Sequence, residues 1–202
     1  RFGVEGVDYH QTNMPGLVQY RVGDQVGTAI STDVPRQAYL DAQATDPGVA
    51  DYIATNHANT EWLNYTRTFP AHTYRVYARA AKGGTVPIVL RLDEVTSGST
   101  TPSQTLATIG CFRRPPTLGP TDYDFVPLTD ALGQEIALPL NGVKTLRLTM
   151  LSGTAGLNLN YLLFVPASSV QRPFVADLSP VAGAGNEPAN APIQATIRNG
   201  DT

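Results

Sequence analysis

Apolar and polar residues alternate strictly from Tyr74, with Tyr74, Val76, Ala78 and Ala80 on one face and Arg75, Tyr77 and Arg79 on the other. A period of two marks a half-buried strand. Lys82-Gly83-Gly84 then supplies a turn, and Val86, Ile88, Leu90 and Leu92 follow against Arg91 and Asp93, so the two runs predict an antiparallel hairpin. The pattern returns at Leu146, Leu148 and Met150 opposite Thr145, Arg147 and Thr149, after a tight turn at Asn141-Gly142. It returns again at Leu157, Leu159, Tyr161, Leu163 and Val165, which share one apolar side. Residues 104–112 and 123–128 are also strand-like, with the Pro/Gly segment 114–120 between them. Short strands punctuated by turns predict an all-β fold, a jelly-roll β-sandwich of about eight to ten strands.

The two ends of the chain read differently. Gly and Pro are scattered through 14–33 and recur at Asp46-Pro47-Gly48, while 35–44 predicts a short helix. The remainder of the first fifty residues reads as long loops, where binding residues concentrate. After Pro166 come Pro173, Pro180, Pro188 and Pro192, with glycines at 183 and 185, a linker-like composition. Ile193, Ala195 and Ile197 then alternate with polar residues before Asn199-Gly200. One strand cannot form a core. The expected organisation is therefore a β-sandwich over 1–167, its N-terminal strand missing or supplied by another chain. Over 168–202 it continues as a Pro/Gly-rich linker and one extra C-terminal strand, which either opens a further immunoglobulin-like domain or is donated to a neighbour.

Composition supports this picture and narrows the partners. A chain of 202 residues accommodates one sandwich core plus something smaller. With 15% charged residues, 18 glycines and 16 prolines, it suits many short strands better than long helices. The net charge of −3 comes with no Lys/Arg run, so no electrostatic footprint for nucleic acid or an anionic membrane surface is present. No apolar stretch approaches the roughly 20 residues of a membrane helix, and no membrane insertion is expected. Cys111 is the single cysteine, which excludes an internal disulfide; in its strand-like run it reads as a small core residue.

The run Glu61-Trp62-Leu63-Asn64-Tyr65, followed by Pro70-Ala71-His72-Thr73-Tyr74-Arg75-Val76 and Arg79, resembles the central strand pair of family 6 carbohydrate-binding modules. Val126-Pro127-Leu128-Thr129-Asp130 and Leu157-Asn158-Leu159-Asn160-Tyr161-Leu162 look like that family's later strands. The likeness spans roughly 49–166. It implies a galactose-binding-like jelly roll with structural calcium, appended to a secreted or cell-surface protein and binding polysaccharide without catalysis. It also implies a site in the loops at one end, where two aromatic rings sandwich a sugar and a last-strand Asn bonds its hydroxyls. Position by position, Tyr52 falls at the loop tyrosine, Asn158 at the last-strand Asn, and Tyr123 is the ring nearest the second aromatic. The family's acidic first-strand pair has Glu5 and Asp8 as its substitutes here.

Sugar recognition needs flat apolar faces beside amides or carboxylates, and Tyr39, Asn56 and His57 also fall in or near loops. Trp62, inside a strand, reads as a packing residue. Arg75, Tyr77, Arg79, Arg91 and Arg147 lie on outward faces, where cross-strand pairing with acids such as Asp93 and Glu94 competes with a basic patch for acidic glycans. Asn64-Tyr65-Thr66 is a glycosylation sequon placed mid-strand. His10, His57 and His72 are isolated, and adjacent Asp93 and Glu94 point to opposite faces of a strand, so no enzyme is expected. The alternative is a structural subunit of an extracellular fibre or matrix, a homo-oligomer joined by strand exchange across open sheet edges.

Overall fold

The computed structural model describes residues 3–12, 26–43, 50–55, 57–115, 119–151, 157–167, 171–179 and 194–200. Asn56, a loop candidate, lies outside them, as do the loop residues 13–25. The strands are β1 (Tyr9–His10), β2 (Thr28–Ile30), β3 (Tyr52–Ala54), β4 (Trp62–Lys82), β5 (Ile88–Ser97), β6 (Thr105–Arg114), β7 (Asp124–Thr129), β8 (Leu138–Met150), β9 (Leu157–Pro166), β10 (Gln171–Ser179) and β11 (Gln194–Gly200). Among the described residues one helix, α1 (Val34–Gln43), lies between β2 and β3, where the sequence predicts it. The chain divides at Pro166 into two compact units.

The all-β sandwich is built around β4. Its 21 residues read in sequence as two strands but form one, bent near Pro70, where the pairing register with β8 shifts between Phe69 and His72. Proline cannot donate to a ladder, so a bend there loses no hydrogen bond that another residue would have made. The Tyr74 hydroxyl donates to the Pro70 carbonyl at 3.0 Å and fastens the bend. The N-terminal half of β4 pairs with β1 and β8, and the C-terminal half with β9 and β7. β4 therefore turns from one layer into the other.

The hairpin expected after Lys82 does not form. β5 pairs with β6 and β8, placing Leu90 opposite Met150 and Leu92 opposite Leu148, and it does not pair with β4. Alternation specifies a strand and its buried face, but a strand from the opposite layer satisfies the same face. The link from β4 to β5 thus crosses between layers. The core between them is apolar: Ala78, Ala80, Leu90, Leu92, Phe112, Val126 and Leu148 are fully buried.

β9 departs from the sequence pattern in a way that matters for the surface. Arg79 pairs with Tyr161 but Ala80 pairs with Leu159, so Asn160 is an extra residue in the strand. An inserted residue reverses the facing of everything beyond it. Leu157 and Leu159 point into the core, whereas Tyr161, Leu163 and Val165, expected beside them, are turned away, and Leu162 and Phe164 pack inward instead.

In the second unit, β10 and β11 pair antiparallel, with Val175 opposite Ile197. The region expected to be a linker therefore contains a strand, and the last strand has its partner in the same chain.

Candidate functional site

Three elements make the outward face of the β9-β4-β7 sheet. On β4, Val76 and Ala78 are buried while Arg75, Tyr77 and Arg79 face outward. Register places Tyr161 of β9 and Phe125 of β7 on either side of Arg79, and Leu163 and Pro127 on either side of Tyr77. The rings meet edge to face, Tyr77 and Phe125 at 6.5 Å and Phe125 and Tyr161 at 6.2 Å between centroids. The Arg79 guanidinium carbon lies 5.0 Å from the Phe125 ring.

Helix α1 extends this surface. Asp33 caps the helix by accepting from the Arg36 backbone N–H, and Pro35 in the first turn removes an N–H that has no intrahelical partner anyway. From α1 the Arg36 guanidinium lies 5.0 Å from the Tyr161 ring and 5.4 Å from the Tyr39 ring. The result is a continuous band, Tyr39, Arg36, Tyr161, Phe125 and Tyr77, in which Phe125 is 41% and Tyr39 57% exposed.

A polar network lies against this band. Arg79 donates twice to the Asp33 carboxylate, at 2.7 Å each. The Asn160 amide, brought there by the bulge, donates to Asp51 at 2.7 Å and Asp33 at 3.3 Å. Burial pushes the Asp33 carboxyl upward, but the Arg79 hydrogen bonds and charge, with Asn160 and the Arg36 N–H, outweigh it and hold the group below the ordinary carboxylate value. The hydrogen bond to Asp33 raises Arg79 in turn. Burial raises the Tyr161 hydroxyl against the opposing pull of Arg36 and Arg79. At neutral pH the site is thus an ionised pair beside neutral phenols.

Of the residues named from sequence, Tyr123 and Asn158 come together. Tyr123 is 8% exposed and packs with Ile53 and Ala81. Its hydroxyl is 3.4 Å from the Thr32 hydroxyl, and Asn158 also bonds it. Asn158 further accepts from Thr55 at 2.7 Å and donates to the Pro120 carbonyl at 2.8 Å. Tyr52 opens β3 and lines a cavity of about 780 Å³ shared with Thr28, Tyr65 and Asn160.

The other candidates take structural positions. The outward arginines are paired: Arg75 with Glu135, Arg79 with Asp33, and Arg91 with Asp93. Arg147 lies 3.5 Å from the centre of the Trp62 ring and donates to Asn64 at 3.2 Å and Gln104 at 2.5 Å, so Trp62 packs under a cation. The Asn64 amide of the sequon donates to the Val7 carbonyl at 2.6 Å. His10 bonds Glu5 at 2.6 Å, His72 packs edge-on against Tyr74, and Cys111 is buried.

Glu5 and Asp8, the substitutes for the acidic first-strand pair, each hold local hydrogen bonds. Glu5 is engaged by His10 and the Gln11 N–H, and Asp8 accepts from the Val4 N–H. Among the described residues no three His, Cys, Asp or Glu side chains gather as metal ligands.

Sequence reasoning missed Arg36, Phe125, Asn160 and Tyr161. Phe125 was legible, since it alternates with buried Val126; the facing of Tyr161 depends on a bulge that no residue type announces.

No protein-family model matches the chain, and no curated protein matches it. Most of the similar solved structures are family 6 or family 36 carbohydrate-binding modules. One is CsCBM6-3 from Clostridium stercorarium in complex with cellobiose, with 18% identity and a TM-score of 0.41 over 58% of this chain and 76% of that one. Another is a glycoside hydrolase family 43 arabinoxylan arabinofuranohydrolase from Bacillus subtilis in complex with cellotetraose, with 16% identity and a TM-score of 0.47 over 70% of this chain and 24% of that one. A third is the module CBM36 in complex with calcium and xylotriose, with 14% identity and a TM-score of 0.38 over 58% of this chain and 82% of that one.

Proposed function

We propose that this chain is a non-catalytic glycan-binding module of a larger secreted or cell-surface protein. The observation that carries the reading is the band of half-exposed rings on the β9-β4-β7 face, bordered by arginines, an amide and carboxylates. Flat rings take the C–H face of a pyranose, and the polar groups beside them take its hydroxyls. The loop-end residues belong to the same proposal through a shared network. Tyr52 lines its cavity with Asn160, Asn160 bonds Asp33, and Arg79 stands between Asp33 and Tyr123. Tyr123 and Asn158, packed and bonded as they are, position that end, and the exposed rings make the contact. Pairing of β11 with β10 in the same chain supports a module over a fibre subunit built by strand donation.

A glycan array followed by calorimetry tests this. Phe125→Ala and Tyr39→Ala are expected to weaken binding about tenfold each with the fold intact, whereas Tyr123→Ala lowers the unfolding temperature. Loss of binding in Tyr52→Ala and Asn158→Ala alone would move the contact from the band to the loop end. A folded chain that binds no glycan overturns the reading.

A further inference from the structure

Arg36 differs from the other arginines of this surface. Arg75, Arg79 and Arg114 each have a carboxylate partner, Glu135, Asp33 and Asp124 respectively. Among the described residues Arg36 has none, and its Nε is buried without a hydrogen-bond partner. The acids near Tyr161 are already engaged, Asp33 by Arg79 and Asn160, and Asp51 by Asn160. What holds Arg36 is aromatic: its guanidinium carbon is 5.4 Å from the centre of Tyr39 and 5.0 Å from that of Tyr161.

A guanidinium fixed by ring contacts retains the planar fork of donors that matches a carboxylate through two parallel hydrogen bonds. Lysine offers no such fork. A buried donor with no acceptor destabilises a fold until an acceptor reaches it. The net charge of −3 gives no long-range attraction for an anion, so preference for one must arise from a local contact of this kind.

We propose that Arg36, held between Tyr39 and Tyr161, recognises a sugar carboxylate and makes the band selective for glycans that carry uronic acid. This rests on the glycan-binding reading above and adds its substrate class. The ring of the uronate lies along Tyr161 and Phe125, and its carboxylate meets the Arg36 fork at the helix end of the band.

The test is calorimetric titration of the chain with matched pairs: oligogalacturonate and a glucuronate-bearing xylo-oligosaccharide, each against the same oligomer after carboxyl reduction. The acid forms are expected to bind about tenfold tighter, with the advantage shrinking as salt rises. Arg36→Ala should abolish the advantage, so that acid and reduced forms bind the variant equally. Arg36→Lys, which keeps the charge and the fold of the helix, should recover less than half of it. Equal affinity for acid and reduced forms, an advantage that survives in Arg36→Ala, or tighter binding of sulfated neutral oligosaccharides than of uronates would each overturn the proposal while leaving the glycan reading standing. Binding to no member of any pair, with thermal unfolding showing a folded chain, would overturn both.

Discussion

Arg79 grips Asp33 through two hydrogen bonds of 2.7 Å, and that pair fastens helix α1 to the outward face of the sheet. The Asp33 side chain is 1% exposed and that of Arg79 11%. Removing one member of such a pair strands the other without a partner, at a loss of about 3 kcal/mol. Arg79→Ala is expected to reduce the unfolding free energy in urea by roughly that amount, and a loss near zero would show that the helix is held elsewhere. The pair also sets an acid limit. The folded-state value of Asp33 lies below its unfolded value of 3.8, so its contribution is present above that pH and is lost as pH falls through the folded value. Urea titrations at pH 7 and pH 3 should therefore differ more in the wild type than in Asp33→Asn.

His57 produces a second pH dependence, in a different window. The residue is 2% exposed, and its Nδ1 is 3.5 Å from the Glu61 carboxylate, too long for a good hydrogen bond. Glu61 is the acidic group facing it, and Glu61 accepts from the Thr12 N–H, the Thr12 hydroxyl and the Ala58 N–H. Burial lowers the imidazole below its ordinary value of 6.5, against the opposing pull of Glu61. The unfolded chain thus binds the proton more readily, so stability is complete above 6.5 and falls as pH drops from there to the folded value. Thermal unfolding midpoints should decline between pH 7 and pH 5, and His57→Phe should remove that decline. An identical slope in the variant would assign it to another group.

Gly110 offers a test of the joint between layers. It lies on β6 opposite Leu92, one residue before Cys111, which pairs with Thr129 of β7. A Cβ there would stand 2.4 Å from the Ile136 side chain and 2.6 Å from the Thr129 carbonyl oxygen. The side chain can shift, but the carbonyl belongs to a paired strand. Gly110→Ala is expected to cost about 1–3 kcal/mol in denaturant titration, and a variant as stable as the wild type would show that β6 and β7 part easily.

How far the sequence reveals this molecule follows from the physics of each element. Alternation located β4, β5, β8 and β9 because each has one apolar face, and the short helix expected over 35–44 is found as α1. Strand partners were less legible. A hairpin and a crossover bury the same residues, so Lys82-Gly83-Gly84 could not say that β5 would pair with β8. The site was legible in kind more than in place. Tyr123 and Asn158 do meet, but a buried ring and an amide with its bonds made are read from packing, which composition does not encode. Arg36 becomes conspicuous only when the other arginines are seen to be paired.

Asn160 is where sequence pattern and surface diverge most. As the extra residue opposite Arg79 and Ala80, it turns Tyr161 outward and sends its own amide to Asp51 and Asp33. These two roles are separable. Asn160→Ala keeps the backbone count and removes the amide, so it should cost about 1–2 kcal/mol and leave Tyr161 against Arg36. Deleting Asn160 instead makes the ladder continuous, with Leu159 opposite Ala80 and Tyr161 opposite Arg79, and so keeps Leu162 and Phe164 inward and Tyr161, Leu163 and Val165 outward. Both variants lose the amide, so the deletion should keep the near-ultraviolet circular dichroism of the packed aromatics and unfold at a denaturant concentration close to that of Asn160→Ala. If the deletion instead lost that dichroism and shielded Tyr161 from nitration, Asn160 would be a ladder residue and not the bulge that sets the facing of β9.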